Sequence, residues 1–467
     1  MRRVIVMLFP VLAAALLQPA LNAQDVKRKL TYDEYMEAVT EKLPELKRNR
    51  LQVLKAENNL RSADSSSDIN ITAGGSYSSS SEYSSMQYDR TKRITGYSLN
   101  AGVSRRFTAT GTTLEAGVEH DFRNAESFGS NHYPSVYLQF SQSVLKNSFG
   151  VVDRYAVNNA AMQLEIEKLR QAESDKTILN YYKKLYFSWI ETAARIELMK
   201  ESVGYALAIE EDTARKYRSG LVPEEDLLNA SAAVSRYRIS YEELLSVMEA
   251  IEAELAVLFE SGTVPGSEEL DAKYGEISIV DYKEVPFSGT RSAAIYRLAR
   301  SRLKYVKGVG ENRLLPQLDI TGRYTRKGMD SEFPASWSGL DDSDYYIGFT
   351  ASYPLWNTAE SGSLKETELA IDEINTEYDV SENAYRKEVE KLKKSRDSVS
   401  RMIKLAEERI RLLQSRYDSV SRKYRQGNYQ IQHVIDALRD ITEEKIRLIM
   451  YKNTLIQDHI DYTDLTS

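Results

Sequence analysis

The chain has no cysteine among its 467 residues. That excludes disulfides, thiolate metal sites and cysteine nucleophiles. Only four histidines are present, at positions 120, 132, 433 and 459, and no two have the i,i+4 spacing of a helical zinc site. An excess of positive charge is also missing: 62 Lys and Arg against 69 Asp and Glu give a net charge of −7, and a phosphate backbone needs a basic face. No stretch beyond the N-terminus approaches 18 consecutive apolar residues, so any membrane passage must be made by β-strands closed into a barrel. What is abundant is tyrosine, with 31 against 11 phenylalanines and 3 tryptophans. A tyrosine-rich, acidic, cysteine-free chain points to the bacterial envelope. No phosphate-binding Gly-Lys loop, metal cluster or nucleophile elbow is found, so neither a cofactor nor catalysis is expected.

Arg2 and Arg3 precede an apolar run from Val4 to Leu17, followed by Pro19 and a small-residue end at Ala23. This is the order of a secretory signal, expected over residues 1–23. About 14 apolar residues are too few for the roughly 20 of a helical span. Losing the two arginines takes the net charge to about −9.

The remainder is a duplication. Arg215-Lys216-Tyr217-Arg218-Ser219-Gly220 recurs as Arg422-Lys423-Tyr424-Arg425-Gln426-Gly427, and Tyr137-Leu138-Gln139-Phe140 as Tyr346-Ile347-Gly348-Phe349. Ile69-Asn70-Ile71-Thr72 matches Leu318-Asp319-Ile320-Thr321 at an offset larger by about 40 residues. A segment of that length between residues 81 and 134 therefore has no counterpart in the second half. The expected division is a first repeat over 24–260, with an extra hairpin at about 82–123, a linker over 261–290 and a second repeat over 291–467.

Each half alternates two periods. Leu227, Ala230, Val234, Tyr237, Tyr241, Leu244, Met248, Ile251, Leu255 and Leu258 step 3-4-3-4, and so do Val399, Ile403, Ala406, Ile410, Leu413, Tyr417, Val420 and Tyr424. That mean of 3.5 defines a left-handed helical seam. Tyr182, Tyr186, Ala193, Ile196, Val203, Leu207, Ala214 and Tyr217 suggest the same register before the first repeated glycine. The period-two segments, each of about 10 residues, include Ile69-Ile71-Ala73-Tyr77, Tyr97-Leu99-Ala101-Val103-Phe107, Leu114-Ala116-Val118-Phe122 and Val136-Leu138-Phe140-Val144. The second half adds Leu318-Ile320-Tyr324 and Tyr345-Ile347-Phe349-Ala351-Tyr353. Such strands belong to a transmembrane barrel or to a soluble sandwich with its apolar face inward. The export signal and the tyrosines favour the barrel.

Lengths set the architecture. Helices are expected over about 153–219 and 358–426, each roughly 100 Å long, with half-length partners over 32–66 and 223–259. So long a seam cannot surround a compact centre. Six strands per chain, or four without the extra hairpin, fall below the 8 strands of the smallest single-chain barrels. Closure thus needs several copies, and three would give 12 or 18 strands.

These features resemble the TolC-type outer-membrane efflux family. The marks are Leu43-Pro44-Glu45-Leu46, Leu314-Leu315-Pro316-Gln317-Leu318, Ser352-Tyr353-Pro354-Leu355-Trp356 and the Lys-Tyr-Arg-x-Gly turn in both halves. Ser141-Gln142-Ser143-Val144-Leu145 departs from the family's Gln-Pro-Leu-Leu form by lacking the proline. The resemblance implies a mixed membrane α+β fold: a trimeric channel-tunnel with duplicated β-barrel strands on long coiled-coil periplasmic helices. It implies passive transport in an efflux pump or type I secretion system, with a periplasmic adaptor, an inner-membrane transporter and outer-membrane lipid as partners. The linker would help form a belt. Gly220 and Gly427 would turn the helices at the closed tip, where Lys216, Tyr217, Arg218, Lys423, Tyr424 and Arg425 would meet the adaptor. Tyr217 and Tyr424 also fit the helical seam. Asp226 and Asp436 would ring the constriction, with His433 at the position that matches Asp226. The rival without a pore is an envelope stalk or adhesin.

Overall fold

The computed structural model describes residues 28–83, 90–125, 129–259, 263–265 and 269–466. The expected signal segment lies outside them. The first half contains β1 (Arg28–Leu30), α1 (Tyr32–Lys42), α2 (Pro44–Ala63), β2 (Ile69–Tyr83), β3 (Arg90–Phe107), β4 (Thr112–Ala125), β5 (Gly129–Ser143), α3 (Tyr155–Arg218) and α4 (Glu224–Leu255). Between the halves lie β6 (Thr263–Pro265) and α5 (Glu269–Ser278). The second half contains α6 (Arg291–Arg313), β7 (Gln317–Lys327), α7 (Phe333–Ser338), β8 (Asp342–Ser352), α8 (Thr358–Arg425) and α9 (Ile431–Thr466).

The expected opening helix over 32–66 is two helices. Leu43 is extended (φ −68°, ψ 120°) and Pro44 opens α2. Proline lacks an N–H and forces its predecessor out of the helical region, so the break is local and obligatory.

Two compact units share the chain. The first takes its described residues from 28–42, 185–273 and 406–453. Its core is a seam of Met199, Ala206, Val234, Tyr237, Leu244, Leu438 and Ile441, continued by Ala233, Tyr424, Ile431, Val434 and Ile435. The 3-4-3-4 positions of α4 and α8 face inward as expected. In α3 the buried line departs from the expected one in part: Tyr186 is buried and Ile196 and Val203 pack against the seam, but the most buried positions there are Met199, Ser202, Ala206 and Thr213, while Leu207 and Tyr217 are exposed. Two of its members are hydroxyls satisfied across the seam. Ser202 Oγ lies 3.0 Å from Thr442 Oγ1, and Thr213 Oγ1 lies 3.0 Å from the Tyr424 hydroxyl. An apolar count passes over such residues, because their burial is made tolerable by partners distant in sequence. The same unit holds β1 parallel to β6 and anchors Glu269, whose carboxylate accepts from the Tyr186 hydroxyl at 2.6 Å.

The second unit takes 43–184, 274–405 and 454–466. Its helical core gathers Tyr282, Phe287, Ala293, Tyr385, Val389, Leu392 and Tyr462. The linker is strapped onto it: Tyr282 stacks on Tyr462 at 3.9 Å, and the Tyr385 hydroxyl donates to Val285 O at 2.6 Å. The unit also carries one six-stranded antiparallel sheet in the order β2-β3-β4-β5-β7-β8. Both halves contribute to it, and the unmatched hairpin is β3–β4, placed between the duplicated strands. The first-half strands have 14 to 18 residues rather than about 10, and only β7 and β8, with 11 each, approach that length. The period-two count stopped at Tyr77, where Ser78 to Ser81 replace large apolar residues, but the strand continues through them.

The passage from β5 into α3 lacks the proline of the family pattern. Asn147 takes its place by another device: it adopts φ 66°, and its Oδ1 accepts from Val152 N at 2.8 Å and Asp153 N at 3.1 Å. Asparagine tolerates the left-handed region, and its side chain here closes the turn that precedes α3. Losing these two hydrogen bonds, Asn147→Ala should cost about 1–2 kcal/mol, and Asn147→Gly less because it keeps the backbone conformation. Urea unfolding of the refolded protein checks both.

Candidate functional site

The alternation along the six strands puts their apolar residues on one face, since each ladder pairs like with like. Ile71, Val103, Ala116, Leu138, Tyr324 and Tyr345 form one continuous cross-strand row. This face is the exposed one: Ile71 is 80% accessible and Ile347 and Phe349 are 75%. The opposite face carries Ser76, Asn100, Glu115, Glu119, Gln139, Arg323 and Thr350, and there Tyr137 is only 7% accessible. The sheet thus leaves its apolar face uncovered, the inverse of a water-soluble sandwich, whose apolar face would be covered.

Aromatic rings border the apolar face. At the strand ends remote from the connecting helices, Tyr97 stacks on Phe122 at 5.0 Å and His120 on Trp337 of α7 at 5.9 Å. His120 Nε2 lies 3.0 Å from His132 Nδ1, and Phe333 caps both rings at 4.8 and 5.6 Å. At the other end, Phe107, Tyr353 and Trp356 are exposed. Tyr97 and Phe107 are ten residues apart on β3, roughly 33 Å along the strand and about 25 Å once tilted, the height of a barrel's lipid band. No described helix is long and apolar enough to cross a membrane.

The polar face holds a built cluster that composition does not reveal. Arg323 donates to both oxygens of Glu119 at 2.9 Å and lies 3.9 Å from the Tyr137 ring centre. The Tyr137 hydroxyl donates to Glu115 at 2.7 Å. Gly117 makes room for that tyrosine: a Cβ there would sit 2.7 Å from its hydroxyl oxygen. The repeated motif Tyr-x-x-Phe marked this strand but not its partner Arg323 on β7.

The two repeated glycines end α3 and α8 in matching ways. Gly220 has φ 71°, with Gly220 N donating to Tyr217 O and Leu221 N to Lys216 O, both at 2.9 Å. Gly427 has φ 79°, with equivalent bonds to Tyr424 O and Lys423 O at 3.0 Å. Both are Schellman closures, which need a left-handed residue after the helix.

Beyond the backbone the repeats diverge. Tyr424 is buried, whereas Tyr217 is 40% exposed, so only Tyr424 keeps the expected seam position. Lys216 reaches across the repeats, its Nζ 3.6 Å from the Tyr424 ring centre and 3.3 Å from Tyr424 O, while Asp212 holds it at 3.1 Å. Lys423, its counterpart, sits 5.2 Å from the Tyr429 ring, and Tyr429 lies 4.9 Å from His433. Arg218 Nε bonds back to Ala214 O at 3.3 Å, and Arg425 is exposed.

The expected constriction residues differ in environment. Asp226 lies in the acidic first turn of α4, and burial followed by the Glu225 charge raises its pKa above the usual carboxylate value. Asp436 pairs with Arg439 at 3.2 Å and accepts from Gln432 Nε2 at 3.0 Å. Arg439 in turn approaches Asp440 at 3.6 Å, which binds Arg416 at 2.6 Å. His433 is exposed. Among the described residues no group of three or more metal-ligating side chains is present.

The Lys216–Tyr424 contact should act as a coupling between repeats. A double-mutant cycle with Lys216→Ala and Tyr424→Leu should show an interaction of about 1 kcal/mol in urea unfolding. The corresponding Lys423→Ala and Tyr217→Leu cycle should give close to zero.

Residues 293–465 match the model of a family described as outer membrane efflux protein. No curated protein matches the chain by sequence. Among solved structures, CusC superposes with a TM-score of 0.68 at 13% identity, covering 93% of this chain and 92% of that one. The CmeC outer membrane channel of Campylobacter jejuni gives 0.66 at 14% identity, with 93% and 85% coverage. The outer membrane protein VceC of Vibrio cholerae gives 0.64 at 13%, with 93% and 96%. In the family model of its second half and in the fold of nearly its whole length, the chain resembles the TolC-type outer-membrane efflux family, as its duplicated motifs implied.

Proposed function

We propose that this protein is the outer-membrane channel of a tripartite efflux pump or type I secretion system. It works as a homotrimer whose sheets close a barrel in the outer membrane of a Gram-negative bacterium, with its long helices in the periplasm. The observation that carries this reading is the inverted sheet. A face rich in exposed Ile, Leu, Val and Phe, bordered by aromatic rings, suits hydrocarbon, while the polar reverse suits a water-filled lumen. Helices of 64 and 68 residues supply a periplasmic conduit. The family model and the solved channels support the same conclusion.

Transport through such a conduit is passive, and its energy comes from an inner-membrane transporter joined by a periplasmic adaptor. The two glycine turns form the closed tip, where Lys216, Tyr217, Arg218, Lys423, Tyr424 and Arg425 meet the adaptor. Opening separates α8–α9 from α3–α4, which breaks the Lys216–Tyr424 and Thr213–Tyr424 contacts. Asp226 and Asp436, repeated by three-fold symmetry, gather negative charge at the constriction and favour cations, with His433 beside them. Arg439 offsets part of the charge at Asp436, so Asp226 is the stronger determinant of the two. Residues 1–23 direct export, and the linker over 261–290 forms the belt at which the repeats join.

Single-channel recording of the detergent-extracted trimer in a planar bilayer tests the reading. Small cation-preferring openings are expected from the wild type. Lys216→Ala with Tyr424→Leu should raise conductance several-fold, and Asp226→Asn should reduce cation preference more than Asp436→Asn. A trimer silent in both wild type and the loosened variant would instead indicate a stalk without a pore. The lipid face is tested separately. Leu138→Arg, near the middle of the apolar face, should cost about 2–4 kcal/mol in vesicle-refolded protein, and the neighbouring Gln139→Arg under 1 kcal/mol.

A further inference from the structure

The sheet ends in two bare edges. β2 pairs only with β3 and β8 only with β7 among the described residues. Soluble proteins guard such edges with lysine, proline, bulges or shortness. β2 has 15 residues and β8 has 11, and neither carries Lys, Arg or Pro. Their only acids are Glu82 on β2 and Asp342 and Asp344 on β8, all at the strand ends away from the helices. Each edge instead exposes large apolar groups: Ile71 and Tyr77 on β2, and Tyr345, Ile347 and Phe349 on β8. The two edges run in opposite directions and present their apolar residues at odd positions. They are built to pair antiparallel with each other, which one sheet of six strands cannot do with itself.

We propose that the β3–β4 hairpin is a full member of the barrel wall, so that three copies, pairing edge to edge, close 18 strands rather than 12. This rests on the channel reading above. The hairpin's place is supported by its pairing on both sides, to β2 and to β5 along its length. Its faces also agree with the rest of the wall: Leu99, Val103 and Val118 are outward, and Asn100, Glu115 and Glu119 are on the polar side.

The slant of the sheet fixes the register between copies. The cross-strand row that begins at Ile71, near the helix end of β2, reaches β8 at Tyr345, near its far end. Setting Ile71 and Ala351, which lie beside the helix ends of their strands, at equal height makes the row climb six residues per protomer. One residue of climb per strand, at about 3.3 Å rise and 4.8 Å spacing, gives a tilt of roughly 35°, within the range of membrane barrels. Continuing the row onto the next copy sets Tyr345 opposite Tyr77, Ile347 opposite Gly75, Phe349 opposite Ala73 and Ala351 opposite Ile71. Large residues then meet small ones on the lipid face and the two tyrosines extend the aromatic border. On the lumen side, the three Glu115–Tyr137–Arg323–Glu119 clusters line a bore wider by six strands than the duplicated strands alone would enclose.

The cysteine-free chain makes the test direct. The full-length Ala73→Cys, Phe349→Cys double variant in outer-membrane preparations should form a disulfide-linked trimer under mild oxidation, and each single variant none. Linkage of Phe349→Cys to Gly75→Cys in its place would overturn the register. No linkage with either partner would overturn pairing between copies. For the hairpin, Val103→Cys and Val118→Cys should react with a long-alkyl maleimide and resist a sulfonated one at least tenfold more than Asn100→Cys does. Equal reaction of Val118→Cys and Asn100→Cys with the sulfonated reagent would overturn the hairpin's place in the wall. That result with conductance retained separates it from failure of the channel reading.

Discussion

A backbone amide in hydrocarbon has no water to bind, and leaving it unpaired costs several kcal/mol. The sheet of this protein is subject to that constraint twice. Its interior ladders satisfy their own amides, but β2 and β8 leave two rows unpaired, and the apolar face that accompanies them has no cover from the chain itself. In water both features would drive aggregation. In lipid, with edges met by further copies, both are satisfied at once. On the proposed reading, oligomerisation and membrane insertion are therefore one event for the sheet rather than successive refinements.

The duplication has to be understood with that constraint in mind. An antiparallel wall entered and left on the same side requires an even number of strands from each half, and β7–β8 supply two. The first half meets the same rule with four, because an insertion into such a wall must come as a hairpin. β3–β4 joins through a tight turn at residues 108–111, where Gly111 takes φ 76°. A Cβ there would meet Asn147 O at 2.9 Å, and Asn147 holds the turn that leads into α3. The inserted hairpin and the sheet-to-helix transition are thus packed together.

Much of this was legible from residue order. The period-two positions named from the sequence all fall on the single exposed face, because strand alternation is a geometric fact independent of context. The seams of α4 and α8 were legible for the same reason. The register of α3 was not: its buried line includes Ser202 and Thr213, whose partners Thr442 and Tyr424 come from the other repeat. Only the fold brings them together. Pro44 could have announced the break between α1 and α2, since proline is a local signal. Strand lengths were underestimated where serines carry the ladder, which needs backbone pairing and not side-chain hydrophobicity.

At the glycine turns, identical sequence does not produce identical surroundings. Lys-Tyr-Arg-x-Gly closes both helices with the same hydrogen bonds, yet Tyr424 is buried under Lys216 while Tyr217 faces solvent. The difference arises from the residues C-terminal to each glycine. Leu221-Val222-Pro223 sets α4 off with three acids, and Asn428-Tyr429-Gln430 sets α9 off with an aromatic that occupies Lys423. Duplication conserved the turn, where left-handed geometry leaves little choice, and the side-chain layer diverged. The opening proposed here, by separation of one helix pair from another, needs that asymmetry. One pair must carry the latch and the other the surface it closes on.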